Sequence, residues 1–279
     1  DLLFWLQGVN VSKKYDVEID EIDACPVQIQ GPLSEDLMAK LAGEELRDVP
    51  YYGILETKVG GADCVISQTG FTGEKGYEIY VRNAHENAEK MWNAVLEAGE
   101  EFGLMVIAPA HHRRIAAGIL SWGQDLDHET SPFQVNLSYQ VPRNKAADYI
   151  GKEELEKQRA IIDEGKAPFK MKMVGLTLGG KEITDYAPDF WLVTDTDGNE
   201  VGYVTSPWWS PELETNIALA WVPWESSEVG TKFMVKLPDE YSESPGVPVD
   251  AKVVDVPFRE SVNPNKREVQ ASKGLDYAD

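Results

Sequence analysis

The chain contains 279 residues, of which 42% are hydrophobic, and its 48 acidic against 26 basic residues give a formal net charge of −22. That length and apolar content are sufficient for two domains with a large buried core. The excess of carboxylates argues against nucleic acid as a partner, because nucleic-acid binding needs clusters of lysine and arginine. Since no apolar run approaches the roughly 18 residues of a membrane span, we expect no membrane partner and a cytoplasmic location.

The first half of the chain mixes strand and helix patterns. Alternating polar and apolar residues predict a strand over 16–22, a second strand covers 27–30, and Ser34 is the expected N-cap of the helix that follows. The remaining elements are strands near 55–67 and 77–82, an amphipathic helix over 84–103 and a helix that begins near His111. This order predicts an α+β domain over residues 1–150, with helices on one face of a sheet.

A change in composition follows this domain. Residues 151–168 have the pattern of a charged linker helix that ends in glycine, proline and lysine. Beyond it, short strands separated by turn signals predict an all-β barrel or sandwich over 169–260. Residues 261–279 are polar, and we expect them to form a tail.

The two cysteines do not indicate a metal site or a disulfide. Cys25 and Cys64 both lie in apolar, strand-like segments, and they lack a CxxC spacing. We therefore expect reduced core residues and no bound metal.

The run 68–80, with the sequence QTGFTGEKGYEIY, packs glycines, threonines and carboxylates into a turn that leads directly into an apolar strand. Glycine allows positive φ and close approach of the backbone to a ligand. The strand then carries Glu78 beside the loop. The residues alone are equally compatible with a binding loop and with a tight hairpin whose charges are solvated.

This run resembles the signature of the folate-dependent aminomethyltransferase family, typified by the T-protein of the glycine cleavage system. Other segments, among them 117–125 and 201–206, resemble further landmarks of that family in the same order, so the resemblance covers residues 1–258. It implies tetrahydrofolate as the cofactor, with Glu78 accepting hydrogen bonds from the pterin ring. The other cofactor-binding residues that it implies are Gln68, Tyr77, Arg114 and Trp122, with the two aromatic rings as cavity walls.

The chain enters the family pattern late. It opens with DLLFWL, without a methionine and without the strands that begin the family pattern. The aspartate that the family places near the reactive nitrogen of folate therefore falls upstream of residue 1. We expect a sequence that is partial or a fold that is incomplete.

The segment around His111 departs from the glycine cleavage pattern. Ala110 and His111 stand where that pattern has an arginine and an aspartate, Ala116 replaces a glutamate, and Arg114 is retained. Members of the family that lack the charged triplet include demethylases that pass a methyl group to tetrahydrofolate. The substitutions therefore favour a demethylase, because the fixed charges that serve aminomethyl transfer are missing.

His111 and His112 are the catalytic candidates. Imidazoles with ordinary pKa values of about 6.5 suit protonation of the oxygen that leaves from an aryl methyl ether, while Arg113 or Arg114 binds a substrate carboxylate. A sulfonium needs only alignment and aromatic surroundings, so the histidines favour the ether. The same run is also typical of a solvated helix start with one arginine packed against the sheet.

A pair of indoles, Trp208 and Trp209, lies between two Ser-Pro dipeptides. Such a pair is suited to wall a substrate cavity or to surround a cation. It is equally suited to cover one end of the predicted barrel.

The sequence therefore predicts a tetrahydrofolate-dependent methyltransferase that demethylates a small methylated substrate, either an aryl methyl ether or a sulfonium like dimethylsulfoniopropionate. The alternative is the aminomethyltransferase of the glycine cleavage system, which would need a lipoylated carrier protein as its partner. A noncatalytic folate-binding protein is the second alternative, although the cysteine motif of such relatives is missing from the sequence.

Overall fold

The structure is a computed structural model that describes residues 2–13, 15–108 and 111–259. Contacts between residues divide the chain into two compact units. The first unit comprises the chain up to Gly70 together with Glu74–Val106, and the second comprises Phe71–Gly73 and the chain from Ile107 onward. The predicted tail over 261–279 lies outside the described residues.

The first unit contains an antiparallel sheet of four strands in the order β1-β4-β3-β2. Its elements are α1 (Leu2–Val9), β1 (Ala24–Gln30), α2 (Ser34–Ala42), β2 (Ile54–Val59), β3 (Ala62–Ser67), β4 (Gly76–Arg82) and α3 (Ala84–Gly99). Along β4, Tyr77, Ile79 and Val81 are fully buried, whereas Glu78 and Tyr80 retain exposed surface. This alternation is that of a sheet with one covered face.

Helices α2 and α3 cover that face. Leu37 and Met38 of α2 and Met91 and Val95 of α3 join the sheet residue Ile66 in one hydrophobic cluster. Side chains spaced three or four residues apart share a helix face, so each helix presents an apolar stripe to the sheet. The arrangement confirms the predicted α+β fold of the first part of the chain.

Two local predictions for this unit are wrong. Residues 16–22 form no strand in the described part of the chain, because β1 is an edge strand that bonds to β4 alone and the acidic segment adds no pairing to it. Ser34 does not cap α2. Leu33 occupies the N-cap position, and the Ser34 hydroxyl instead donates a hydrogen bond to the Lys75 carbonyl at 3.0 Å.

The cysteine prediction holds in part. Both thiols are free, and Cys64 on the central strand β3 is buried. Cys25 is exposed, because it lies on the edge strand β1, which has a neighbour on one side only.

The second unit contains a closed antiparallel barrel of six strands in the order β10-β5-β8-β7-β6-β9. Its elements are α4 (His111–Ala116), α5 (Lys152–Asp163), β5 (Met171–Leu178), β6 (Trp191–Thr194), β7 (Glu200–Ser210), β8 (Thr215–Pro223), β9 (Lys232–Val235) and β10 (Val249–Val254). The closed order identifies the predicted all-β region as a barrel and not a sandwich. Helix α5, predicted as the linker, belongs to the second unit, and the domain boundaries at 150 and 168 stay a prediction.

Two apolar layers organise the second unit. The barrel interior is filled from every strand, for example by Leu176, Val193 and Val235. A second cluster lies on the outer wall, where Ile115 of α4 packs with Leu219 of β8. Helix α4 is therefore held against the outside of the barrel, and its polar residues are positioned by strands β7 and β8.

None of the helices in the described residues is both long and apolar enough to cross a membrane.

Candidate functional site

Glu78 lies in a polar row on the sheet face opposite the helices. Strand pairing places Gln28 of β1 and Ser67 of β3 directly beside it. The Glu78 carboxylate accepts hydrogen bonds from Gln28 Nε2 at 3.0 Å and from the Thr69 hydroxyl. A carboxylate offers about four acceptor positions, so this half-buried group retains capacity for further N–H donors.

The Gln30 side chain packs against two glycines of the turn that leads into β4. A Cβ atom on Gly70 or Gly76 would lie 2.2 Å or 2.4 Å from the Gln30 side chain. Gln30 Nε2 also donates to the Thr69 carbonyl at 3.2 Å. Close packing, rather than positive φ, therefore requires glycine at these two positions, and only Gly73 has the left-handed φ of +72°.

Tyr77 does not line a cavity beside Glu78. Its side chain is fully buried in the hydrophobic cluster under α2 and α3, because consecutive residues of a strand point to opposite faces. Gln68 Nε2 donates to the Tyr77 hydroxyl at 3.4 Å. Both residues thus support the loop from the core side. The other expected aromatic wall, Trp122, is 69% exposed in the turn that follows α4.

Arg114 is 1% exposed and anchors the polar network of the second unit. Its Nη1 donates to Asp125 Oδ2 at 2.7 Å and to the Ile119 carbonyl at 3.1 Å. Its Nη2 donates to Ser206 Oγ at 2.8 Å, and the guanidinium also contacts both ring nitrogens of His111, at 3.3 and 2.9 Å. This arginine is engaged within the protein and holds α4 to the barrel.

Asp125 is the matching anion of this network, with a fully buried side chain. Its Oδ1 accepts hydrogen bonds from the hydroxyls of Thr205 and Ser206, both at 2.6 Å, and its Oδ2 also accepts from the Ser121 backbone N–H at 2.8 Å. A buried ion pair is stable only when such additional hydrogen bonds satisfy both charges. Both Arg114 and Asp125 have these additional hydrogen bonds.

A bulge in β7 allows neighbouring residues to reach the same carboxylate. The register against β8 shifts between Val204 and Ser206, which leaves Thr205 as the extra residue. In a regular strand, adjacent side chains would point to opposite faces, and only one hydroxyl could face Asp125.

His111 is buried between aromatic rings and Arg114. Its ring centroid lies 4.3 Å from that of Tyr186 and 5.3 Å from that of Trp208, and the latter two rings are 5.6 Å apart. Burial and the neighbouring Arg114 charge lower the pKa of His111 to about 4. The imidazole is therefore neutral at pH 7, and the expectation of an ordinary pKa is wrong.

The neighbours of His111 on α4 differ in exposure. His112 is half-buried, and burial together with the charges of Arg113 and Arg259 lowers the pKa of its imidazole. Arg113 is exposed. Ala110 lies outside the described residues. The start of α4 is therefore not fully solvated, and its two histidines do not have ordinary pKa values.

The structure brings together three predicted residues of the second unit, namely His111, Arg114 and Trp208. Trp209 points to the opposite face of β7, and its backbone N–H donates to the Ile183 carbonyl at 2.8 Å. The residues that the sequence reasoning missed are Asp125, Thr205, Ser206 and Tyr186. The first three lie inside segments recognised for their resemblance alone, and Tyr186 carried no sequence signal.

The described residues contain no group of His, Cys, Asp and Glu side chains that could hold a metal ion.

Residues 2–145 match the GCVT N-terminal domain family, and residues 172–259 match the glycine cleavage T-protein C-terminal barrel domain. The chain therefore belongs to the glycine cleavage T-protein family, which confirms the resemblance of the signature loop. The family comprises tetrahydrofolate-dependent enzymes that include aminomethyltransferases and a demethylase.

The chain is similar to relatives with different activities. It is 33% identical to the dimethylsulfoniopropionate demethylase of Ruegeria pomeroyi, over 86% of this chain and 62% of the relative. It is also 33% identical to an aminomethyltransferase of a Geobacillus species, over 91% of this chain and 65% of the relative. An aminomethyltransferase of Caldanaerobacter subterraneus is 31% identical, over 88% of this chain and 61% of the relative.

A solved structure shares the fold. The glycine cleavage aminomethyltransferase T of Bartonella henselae superposes with a TM-score of 0.73 at 22% identity, covering 93% of this chain and 65% of the other. The present chain thus spans between 61% and 65% of the length of these curated relatives.

Replacing Arg114 is expected to destabilise the protein strongly. Arg114→Met leaves the Asp125 carboxylate buried without its counter-charge, which costs about 3 to 5 kcal/mol of unfolding free energy. Urea unfolding of the variant measures this loss. Arg143→Met is the matched control, because Arg143 forms an exposed ion pair with Asp163 that is worth about 1 kcal/mol or less. Equal losses in the two variants would contradict the structural role of the buried pair.

His111 is expected to make stability sensitive to acid. Its pKa is about 4 in the folded protein against an ordinary value of 6.5. Below pH 6.5 the unfolded chain takes up a proton on His111 that the folded protein does not. The contribution of this residue to the unfolding free energy is therefore fully present above pH 6.5 and is lost as the pH falls towards 4. The total loss is roughly 3 kcal/mol. Unfolding free energies measured from pH 7 to 5 should fall less steeply for His111→Gln; parallel curves would refute the assignment.

Proposed function

We propose that this protein transfers a methyl group from a small sulfonium substrate to tetrahydrofolate. The observation that carries the proposal is the environment of His111. Where the glycine cleavage pattern has an aspartate, this chain has an imidazole that is neutral at pH 7 and packs against Tyr186 and Trp208.

The charges on α4 favour methyl transfer over aminomethyl transfer. Two charged positions of the glycine cleavage pattern are occupied by His111 and by Ala116, which is 4% exposed within an apolar cluster. The retained Arg114 is committed to Asp125. This part of α4 therefore offers no free carboxylate for a reaction that handles an amine.

The pKa values of the two histidines favour a sulfonium over an aryl ether as the methyl donor. An ether leaves as an alkoxide or phenolate and needs a proton donor, but the pKa values of both His111 and His112 are lowered. With a pKa of about 4, His111 is protonated in roughly one molecule in a thousand at pH 7. Ordinary imidazole pKa values would favour an ether, and the lowered pKa values of these two histidines support a sulfonium instead.

The aromatic rings favour a positively charged donor. Faces of Trp and Tyr attract cations through their quadrupoles. Tyr186 is 60% exposed, and Trp208 is half-buried beside it. A neutral His111 adds no repulsion at this place. When the carbon–sulfur bond breaks, its electron pair stays on sulfur, so a neutral thioether leaves without a proton donor.

Glu78 is the residue that we assign to the pterin ring. Its carboxylate is held by Gln28 and Thr69 and retains acceptor capacity for the N–H groups of the pterin. Bound tetrahydrofolate would supply N5 as the nucleophile for the methyl carbon, with the N5 proton passing to solvent.

Aminomethyl transfer from a lipoylated carrier protein is the second candidate. It is favoured by the relatives named aminomethyltransferase, one of which is as identical to this chain, at 33%, as the demethylase is. It predicts release of ammonia and formation of methylene-tetrahydrofolate.

A substrate panel tests the proposal. The purified protein is incubated with tetrahydrofolate and, in separate reactions, with dimethylsulfoniopropionate, a methoxybenzoate or an aminomethylated lipoyl carrier protein. We expect 5-methyl-tetrahydrofolate from the sulfonium alone, detected by liquid chromatography. Turnover of the methoxybenzoate would reject the sulfonium assignment, and ammonia release from the carrier would establish the second candidate.

Glu78 is expected to control folate affinity. Glu78→Ala removes the acceptor for the pterin N–H groups and costs roughly 1.5 to 3 kcal/mol, which is about a tenfold to hundredfold loss in affinity measured by calorimetry. Glu56→Ala provides the control, because Glu56 is an exposed carboxylate in the same sheet, on β2. If the affinity loss is the same in both variants, Glu78 is not the pterin residue.

A further inference from the structure

A groove on the outer wall of the barrel contains none of the candidate site residues. It has a volume of about 420 Å³ and lies over strands β5, β9 and β10. Its polar lining residues are Thr177, Thr196, Thr215, Lys232, Asp250 and Lys252.

Strand pairing brings the cations of this groove together. Lys252 of β10 is directly opposite Lys232 of β9 on one side and Thr177 of β5 on the other. Directly opposite residues of antiparallel strands have Cβ atoms about 4.5 to 5.5 Å apart and point to the same face. Two ammonium groups and a hydroxyl therefore form one row across three strands.

This arrangement is unfavourable in the protein alone. Like charges directly opposite each other destabilise a strand pair. Among the residues that the structure describes, neither the Lys232 nor the Lys252 ammonium has a hydrogen bond or an ion pair. The chain has 48 acidic residues against 26 basic ones. Carboxylates are therefore abundant, and a shortage of them does not explain why these two lysines lack an acidic partner. Lysines often protect open sheet edges, but β9 and β10 are paired on both sides.

Asp250 is the one carboxylate among the lining residues. It lies two positions from Lys252 on the same strand face, and it forms no ion pair with either lysine within the described residues. The groove therefore keeps a net positive charge, while its threonine hydroxyls supply donors that can bind oxygen.

We propose that this groove binds a small oxyanion with two or more negative charges, of the phosphate or dicarboxylate class. Lys232 and Lys252 neutralise the charge of the ligand, and Thr177 donates a hydrogen bond to one of its oxygens. Binding removes the repulsion between the two lysines. Exposed ion pairs are individually weak, so the expected dissociation constant is on the order of millimolar.

Nuclear magnetic resonance titration of the ¹⁵N-labelled full chain tests this site. Inorganic phosphate and succinate are added separately at constant ionic strength. The two titrations distinguish a phosphate ligand from a dicarboxylate ligand. We expect saturable shifts of the backbone amides of residues 177, 232 and 250–252 with at least one of the two anions. Linear, non-saturating shifts with both anions would overturn the proposal.

Variants separate a local site from general charge effects. Lys232→Met and Lys252→Met should each weaken binding about fivefold or more, whereas Asp250→Asn should tighten it. Lys236→Met is the matched control, because it removes the same charge from an exposed position just after β9, outside the groove. An equal effect of Lys236→Met would overturn the proposal. Circular dichroism verifies that each variant is folded.

Discussion

The buried ion pair between Arg114 and Asp125 is the interaction on which the second unit depends. It links α4, a helix of six residues, to the segment that follows it, and both charges form hydrogen bonds with hydroxyls of β7 on the barrel wall. A helix this short has little stability of its own. The pair is tolerable because every charge is satisfied, with hydroxyls of β7 on one carboxylate oxygen and a backbone N–H on the other. Apolar packing of Ile115 then completes the attachment. Electrostatics specifies where α4 lies, and hydrophobic burial holds it there.

The surroundings of this pair also set the protonation state of His111. Burial lowers the pKa of the imidazole, and the adjacent Arg114 guanidinium lowers it further. The imidazole therefore presents a flat, neutral and polarisable surface and does not act as a proton donor at pH 7. The aromatic contacts of that surface are compatible with a substrate that carries its own positive charge, and the leaving group of such a substrate needs no assistance. Arg114 therefore contributes both to the attachment of α4 and to the low pKa of His111.

Much of the fold was predictable from sequence, because the patterns involved are local. The glycine-rich turn before β4 and the amphipathic helix α3 appear at their expected positions, and the strands beyond α5 form the expected all-β region. Predictions failed where the outcome depends on a partner distant in sequence. The segment 16–22 has the alternation of a strand but pairs with no strand among the described residues. Tyr77 belongs to the core because it lies on the sheet face opposite to that of Glu78. The low pKa of His111 depends on burial and on Arg114, and only the fold brings the rings of Tyr186 and Trp208 against the imidazole.

The bulge at Thr205 has a consequence for how this strand can change during evolution. Upstream of it the even-numbered Val204 faces the barrel interior, and downstream of it the even-numbered Trp208 packs with the outer cluster beside α4. Losing the one extra residue would keep Trp208 on its present side and remove a single hydroxyl from Asp125. A deletion elsewhere in the strand would instead reverse the side chains that precede or follow it. Chain length in β7 is therefore free to vary at one position, and a lineage that lacked the bulge could still present the same indole.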